Sequence, residues 1–344
     1  MRIIITGGCG FIGSNLIRSL LNDGKVEILN VDKLTYAADK DFNNIHIKNP
    51  NYSFAEIDIC NFKNLEKAFN DFKPDKVMHL AAESHVDRSI LAPDEFVYTN
   101  IIGTLNLLKI SRSFFDENVA SLKNHFIFHH ISTDEVYGDL EVSDPPFNEN
   151  NRYKPNSPYS ASKASSDHLV RAWNKTYNLP TVISNCSNNY GPYQCVEKLI
   201  PMTISNIIRN KKIPVYGNGL QIRDWLHVED HVSALIKIVM NGKSNETYNI
   251  GSENEKTNIQ VIERICEIMD KIYPNKQDLD SYKDLIDYVE DRPGHDKRYS
   301  INPNKINDEL KWTSVIDFEE GLQDTIQWYI DNKSWWKTED SLIK

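Results

Sequence analysis

The chain has 344 residues, 40% of them hydrophobic and 26% charged, with a formal net charge of −10. That length admits one large core or two modest ones, and no apolar run approaches the roughly 20 residues that cross a bilayer. The acidic balance argues against a general nucleic-acid binder, which needs a basic surface to neutralise phosphates. It leaves room for a small anionic ligand held by a few local cations. The first residues, Met1-Arg2-Ile3-Ile4-Ile5-Thr6, read as a strand rather than a signal peptide, because the apolar run stops at glycines. A cytoplasmic or equally reducing location is expected. Cys9, Cys60, Cys186, Cys195 and Cys266 show no C-x-x-C spacing, which predicts free thiols, no disulfide framework and no metal site.

In chain order, strands are expected at 2–6, 26–32, 52–56, 76–80, 125–131 and 181–184, with helices at 13–22, 64–72, 95–115 and 159–177. Short β-branched runs alternating with amphipathic stretches are the pattern of βαβ units around a parallel sheet. The 95–115 helix carries apolar residues on two faces, so it is expected against the sheet, an oligomer partner, or both. The second half is less regular, punctuated by Pro155, Pro158, Pro192, Pro201 and Pro214. A helix at 228–241, a strand at 247–250 and two more helices from about Asn258 are expected there. The residues after Asp331, with Trp335-Trp336 among charges, read as a loosely packed tail. The fold class is α/β: a Rossmann-type doubly wound parallel sheet with a smaller mixed α/β C-terminal substrate domain. The expected division gives 1–185 to dinucleotide binding, with 221–254 returning to it, and 186–344 mainly to the substrate.

The first strand runs into Gly7-Gly8-Cys9-Gly10-Phe11-Ile12-Gly13, and a helix follows. Gly7, Gly10 and Gly13 allow a tight turn, close approach to a pyrophosphate and close helix–strand packing. The first-turn N–H groups and the positive helix end then face the phosphates. The next strand closes on Asp32, whose carboxylate suits both ribose hydroxyls and repels a 2′-phosphate. NAD is therefore favoured over NADP, with Lys33 blurring the preference. The plain alternative is a cluster of turn glycines without a ligand.

Tyr159-Ser160-Ala161-Ser162-Lys163 sets Tyr159 and Lys163 four residues apart, on one helix face. A free phenol, with a pKa near ~10, is a poor base at neutral pH, and a nearby ammonium favours the phenolate. Lys163 supplies that charge and a donor for the nicotinamide ribose. On its own the pattern equally describes a half-buried tyrosine beside a surface lysine.

After the 125–131 strand comes Ser132-Thr133-Asp134-Glu135-Val136-Tyr137-Gly138. A simple sugar dehydrogenase or 4-epimerase needs a hydroxyl here but has no use for two adjacent carboxyl groups. A dehydratase does: it removes a proton from one carbon and protonates the hydroxyl leaving its neighbour. A neutral acid beside a carboxylate base, with separated pKa values, suits that task. A solvated acidic pair at a strand end is the plain alternative.

The G-x-x-G-x-x-G spacing resembles that of the extended short-chain dehydrogenase/reductases. Nearly the whole chain resembles their nucleoside-diphosphate-glucose 4,6-dehydratases. The matching segments include Ala81-Ala82-Glu83-Ser84-His85-Val86-Asp87-Arg88-Ser89, the stretch from Ser132 to Gly138, Tyr159 to Lys163, Asn185 to Tyr193, Arg223 to Asp230, and Asp291-Arg292-Pro293-Gly294-His295-Asp296. The resemblance implies a tightly bound NAD touched by Lys33, Leu34, Thr35, Asp58, Ile59, Leu80, Ala81, Ala82, Ser84, Thr99 and Asn189 as well as the glycine loop. It implies that Tyr159 takes the C4 hydroxyl proton while hydride passes to NAD⁺, and that Thr133 hydrogen-bonds that oxygen. Glu135 then removes the C5 proton and Asp134 protonates the C6 hydroxyl, which leaves as water. Hydride and a proton return to C6 and C5, so the cofactor ends as it began.

Two guanidinium forks, Arg223 and Arg292, are candidates for the diphosphate. By resemblance Ser84, Asn188, Lys198, Leu199, Pro214, Val215, Tyr216, Asn258, Asp291 and His295 complete the nucleotide-sugar pocket. The segment from Asp291 to His295 resembles dTDP-using members more than UDP-using ones, so dTDP-glucose is the expected substrate, with UDP-glucose or use of both as the alternative. Cys195-Val196 departs from the aromatic and proline usual there, and Cys9 from a small residue. A homodimer through 95–115 and 159–177 is implied. The rival readings are a nucleotide-sugar 4-epimerase, which makes no use of Asp134 and Glu135, and a catalytically silent NAD-binding protein.

Overall fold

The computed structural model describes residues 1–39, 41–123, 125–274 and 279–337. Its strands are β1 (Arg2–Thr6), β2 (Glu27–Asp32), β3 (Tyr52–Glu56), β4 (Lys76–His79), β5 (Ile127–Thr133), β6 (Thr181–Cys186), β7 (Asn188–Tyr190), β8 (Ile213–Tyr216), β9 (Ile222–His227), β10 (Thr247–Ile250), β11 (Glu255–Thr257) and β12 (Ile286–Val289). Seven form one sheet in the order β10-β6-β5-β4-β1-β2-β3, every neighbouring pair parallel. The chain winds outward from β1 through β2 and β3, then crosses back to lay β4 on the other side of β1. Winding direction thus switches between β1 and β4, and the crevice above their carboxyl ends is where such sheets take ligands.

Helices cover both faces of the sheet, so its central strands are buried on both sides rather than at alternate residues. Ile3, Ile4 and Ile5 of β1 are each at most 1% exposed. On one face, helices Phe11–Asp23 and Val228–Asn241 pack through Leu16, Leu20, Leu235 and Ile238. On the other, helices Thr104–Glu117 and Pro158–Tyr177 pack through Leu107, Leu108, Phe114 and Val170. A second core gathers helices Leu199–Ile208, Asn258–Ile272 and Phe318–Asp331 around Ile204, Ile265, Met269 and Leu322. A three-stranded sheet, β11-β9-β7, and the parallel pair β12-β8 complete this part. Within 221–254, β9 belongs to the small sheet, whereas helix Val228–Asn241 and β10 pack into the large one. Ile306 and Trp312 also join the large sheet's core.

Three sequence expectations shift. Strand β5 runs from Ile127 to Thr133, two residues later than expected, which draws Ser132 and Thr133 into the strand. The continuous helix over 95–115 is instead three pieces: Pro93–Phe96, a π-helical Val97–Gly103, and Thr104–Glu117. The wider turn has a physical reason. Gly103 packs directly on Ile59, with no room for a Cβ, while Thr99 and Asn100 both turn inward. The tail is not loose as far as it is described. Trp336 is fully buried in the second core, its indole N–H donates to the Tyr329 carbonyl at 2.9 Å, and Arg209 lies over its ring at 4.7 Å. Among the described residues, no helix is long and apolar enough to cross a membrane.

Candidate active site

A cavity opens over the carboxyl ends of the central strands. Its lining takes in Gly7, Gly10, Phe11, Ile12 and Gly13 after β1, Asp32, Lys33 and Thr35 after β2, and Ile59 after β3. Leu80, Ala81, Ala82 and Ser84 line it after β4, and Thr99 and Asn189 close its sides. Two residues expected there do not line it. Leu34 turns away with a φ of 55° and donates its N–H to Asp32 Oδ1 at 2.8 Å. Asp58 accepts the Cys60 N–H and faces Lys33 Nζ at 3.6 Å.

These residues fit a dinucleotide. Gly10 caps helix Phe11–Asp23 without a side-chain hydrogen bond, so the first-turn N–H groups remain for an anion. A Cβ on Gly13 would strike the Gly7 carbonyl and Gly8 Cα, so the helix start packs this closely on the turn only with glycine there. Asp32 Oδ2 accepts the Cys9 N–H at 2.9 Å. The carboxylate thus holds the glycine loop in place and still has lone pairs for ribose hydroxyls. Cys9 is fully buried, with its thiol taking a donor from Asn30 at 3.3 Å, and burial pushes its pKa up to about 12.

At the other end of the same cavity stand Thr133, Asp134, Glu135, Tyr159 and Lys163. Ser157 and Ser160 form a reciprocal capping box at the start of helix Pro158–Tyr177, with Pro158 in its first position. That start aims Tyr159 and Lys163, one turn apart, at the end of β5. Lys163 is 5% exposed and donates from Nζ to the Ile131 carbonyl at 2.8 Å. Burial lowers its pKa, and buried Asp167, one turn further on, works against that. Asp167 is itself paired with His130 Nε2 at 3.2 Å. Burial holds the Tyr159 phenol well above its ordinary pKa, with the Glu135 charge adding to the shift and Thr133 opposing it.

The two carboxyl groups have different neighbours. Asp134 is 3% exposed; its Oδ1 accepts the Thr133 hydroxyl at 3.3 Å and its Oδ2 has no partner. Burial, then the charges of Glu135 and Asp224, push its pKa well up. Burial raises that of Glu135 too, but the cations Arg292, Arg223 and Lys198 pull it back. Burial thus disfavours the charge on both carboxyl groups, and more strongly on Asp134 than on Glu135.

Those cations belong to the substrate end. Asn188 and Lys198 line the cavity, and Lys198 Nζ reaches the Ser84 carbonyl at 3.3 Å. Arg223, Arg292, Leu199, Pro214, Val215, Tyr216, Asn258, Asp291 and His295 stand beyond the lining, on the C-terminal elements. Arg223 is 5% exposed, donates to the Ile222 and Asp296 carbonyls and lies over the Tyr299 ring at 4.2 Å. Arg292 pairs with Asp87 at 3.1 Å, and Tyr216 reaches the same carboxylate at 3.5 Å. His295 and Asp291 pair at 2.6 Å.

The family described as GDP-mannose 4,6 dehydratase matches residues 4–325. The chain belongs to that dehydratase family. It is 52% identical over 337 residues to a curated dTDP-glucose 4,6-dehydratase of Neisseria meningitidis, covering 98% of this chain and 95% of the relative. Among solved structures, the dTDP-glucose 4,6-dehydratase of Bacillus anthracis in complex with NAD is 41% identical, with a TM-score of 0.86 over 98% of this chain and 99% of that one. The dTDP-glucose 4,6-dehydratase of Streptomyces venezuelae with NAD and TYD bound is 36% identical, with a TM-score of 0.88 over 98% of this chain and 100% of that one.

Several residues of this dehydratase site escaped the sequence reading. Glu83, Cys186, Gln194 and Glu197 line the cavity, and membership of the matching segments named above pointed only to Glu83 and Cys186. Cys195 and Val196 are both buried, Cys195 on the cavity and Val196 in the second core, so the unusual pair fills space rather than presenting a polar group to it. Asn100 is the largest omission. It is 2% exposed, accepts the Glu83 N–H at 2.9 Å, and donates to the Glu83 carbonyl at 3.0 Å and Ser162 Oγ at 2.8 Å. One amide thereby ties the loop after β4 to the helix of Tyr159. A polar residue inside an apolar helix was the available signal. Asn100→Ala strands buried partners and is expected to lower stability by about 1–3 kcal/mol, with a matching loss of activity. A urea midpoint equal to that of the unsubstituted protein would count against this anchor.

Proposed function

We propose that the protein is a dTDP-glucose 4,6-dehydratase, a hydro-lyase that forms dTDP-4-keto-6-deoxyglucose and water with a tightly held NAD. The observation that carries this reading is the pair of buried Asp134 and half-buried Glu135, which share one cavity with Tyr159 and Lys163 and stand among opposite charges. An epimerase has no work for that pair. Bound NAD⁺ supplies the hydride acceptor at C4, the donor at C6 and a positive charge, and the glycine loop, Asp32 and Lys163 would hold it.

The chain's own residues move the protons. Tyr159 takes the proton of the C4 hydroxyl, and Thr133 holds that oxygen by a hydrogen bond. The resulting ketone makes the C5 hydrogen acidic. Glu135, whose carboxylate Arg292, Arg223 and Lys198 favour, removes it. Asp134, kept neutral by burial and by its two acidic neighbours, protonates the C6 hydroxyl, which departs as water. Glu135 returns its proton to C5. Each positioned transfer contributes roughly 10²–10⁴ in rate. Arg223 and Arg292 would exchange their present acceptors for phosphate oxygens, with Lys198, Asn188 and the residues from Asp291 to His295 around them.

The lobe formed by 1–185 with helix Val228–Asn241 and β10 holds the cofactor in this reading, and the C-terminal lobe holds the nucleotide sugar. The enzyme works in the cytoplasm as a homodimer. Val97, Tyr98 and Ile102 support the dimer, because they leave apolar side chains exposed along the π-helical stretch, with Leu91 exposed at the end of the preceding helix Val86–Leu91.

Purified protein incubated with dTDP-glucose, without added NAD, is expected to yield a product lighter by one water, and UDP-glucose to react more slowly. Unchanged mass with both sugars would sink the reading; unchanged mass with inversion at C4 would mark an epimerase. Light scattering is expected to give twice the chain mass of 39.7 kDa, and a monomer at micromolar concentration would contradict the dimer.

A further inference from the structure

We propose that His79 is a positioning residue, the joint of a buried hydrogen-bond chain that holds the loops around the cofactor in register with the helix of Tyr159. Its link to turnover rests on the dehydratase reading. His79 is 1% exposed, and the proton chemistry makes no use of it. It ends β4, paired across the sheet with Thr6 of β1 and His130 of β5. It therefore stands where the winding direction switches and the crevice opens.

The direction of each bond in the chain follows from the groups at its ends. A carbonyl only accepts, so the Thr104 hydroxyl donates to the Asn100 carbonyl at 2.6 Å. That uses its single proton, so in the 2.9 Å contact between Thr104 and His79 Nε2 the ring N–H donates. A neutral ring then has a bare Nδ1, which accepts the Thr6 hydroxyl at 2.7 Å. The Thr6 oxygen in turn accepts the Ala81 N–H at 3.2 Å. An imidazolium would take the Nδ1 acceptor away from Thr6. Burial opposes that charge, as do His130 and Lys163.

Each arm ends on part of the site. Toward the cofactor, Ala81 lines the cavity and packs on Gly7, where a Cβ would strike the Ala81 backbone. Toward the catalytic helix, the Asn100 amide donates to Ser162 Oγ at 2.8 Å, and the Ser162 hydroxyl donates to the Tyr159 carbonyl at 2.7 Å. Thr6, Thr104, Asn100 and Ser162 are each at most 3% exposed, so breaking a link leaves a buried group unsatisfied.

Two substitutions separate the arms, because each amide reproduces one ring nitrogen. His79→Asn places an acceptor near the Nδ1 position, for Thr6, and leaves Thr104 without its donor. His79→Gln places a donor near the Nε2 position, for Thr104, and leaves Thr6 without its acceptor. Both proteins are loaded with NAD and dialysed, and dTDP-glucose turnover is expressed per NAD retained. His79→Asn is expected to keep its NAD while kcat per bound NAD falls roughly tenfold, the scale of one buried hydrogen bond. His79→Gln is expected to release NAD roughly tenfold faster, with the smaller change in kcat. Equal falls of both quantities in both variants, no fall in either, or the reverse assignment overturns the joint. Should the variants not fold, NMR of the unsubstituted protein with isotope-labelled histidines decides, His79 being assigned through its contacts with Thr6 and Thr104. A neutral ring protonated at Nε2 from about pH 5 to pH 9 is expected. A ring that titrates in that range, or carries its proton on Nδ1, overturns the joint. Failure of the unsubstituted protein to release water from dTDP-glucose would overturn the dehydratase reading instead, while NAD retention and the ring signal still decide the joint.

Discussion

The placement of two adjacent carboxyl groups at the end of β5, Asp134 buried and Glu135 half-buried, is the constraint around which this molecule is arranged. Burying an unpaired carboxylate is costly, and a protein meets that cost by neutralising the group or by surrounding it with cations. Both solutions occur here, one residue apart. Burial first, then the charges of Glu135 and Asp224, push the pKa of Asp134 well up, which favours its neutral form. Burial raises the pKa of Glu135 as well, and the charges of Arg292, Arg223 and Lys198 oppose that rise. The sheet supplies the strand end that carries the pair, and the C-terminal elements supply the cations. Neither part alone could separate the two acidities.

The parallel sheet explains why the remaining groups arrive at the same place. Every βα connection leaves the carboxyl edge, so the glycine loop, the loop after β4 and the Thr133–Glu135 turn open on one crevice. Helix Pro158–Tyr177 crosses beneath that edge and brings Tyr159 and Lys163 with it. Asn100 then fixes the spacing between two of these pieces through a single amide. The widened π turn that presents Asn100 is a local departure from α-helix made for this contact.

Much of this was legible in the sequence, because it rests on local rules. Glycine spacing, the acidic residue ending β2, and a tyrosine and lysine one turn apart depend only on short-range geometry. The large sheet's strands followed from β-branched runs, with errors of one or two residues at the ends. What escaped depends on distant partners. The π turn arises where Gly103 meets Ile59, and the burial of Trp336 needs Tyr329 and Arg209. The present bonds of Arg223 to backbone carbonyls, and of Arg292 to Asp87, likewise join segments far apart in the chain. Guanidinium chemistry and the segments around them nominated these arginines for phosphate, but their packing against Tyr299 and Asp87 became visible only in three dimensions.

The central claim is that two neighbouring carboxyl groups divide acid and base work between C6 and C5. Incubating Asp134→Asn and Glu135→Gln proteins with dTDP-glucose in heavy water, then analysing the recovered sugar by NMR, tests it most directly. The account predicts that Asp134→Asn places deuterium at C5 while losing little water, and that Glu135→Gln does neither. Deuterium at C5 in the Glu135→Gln reaction, or undiminished water loss in Asp134→Asn, would contradict it.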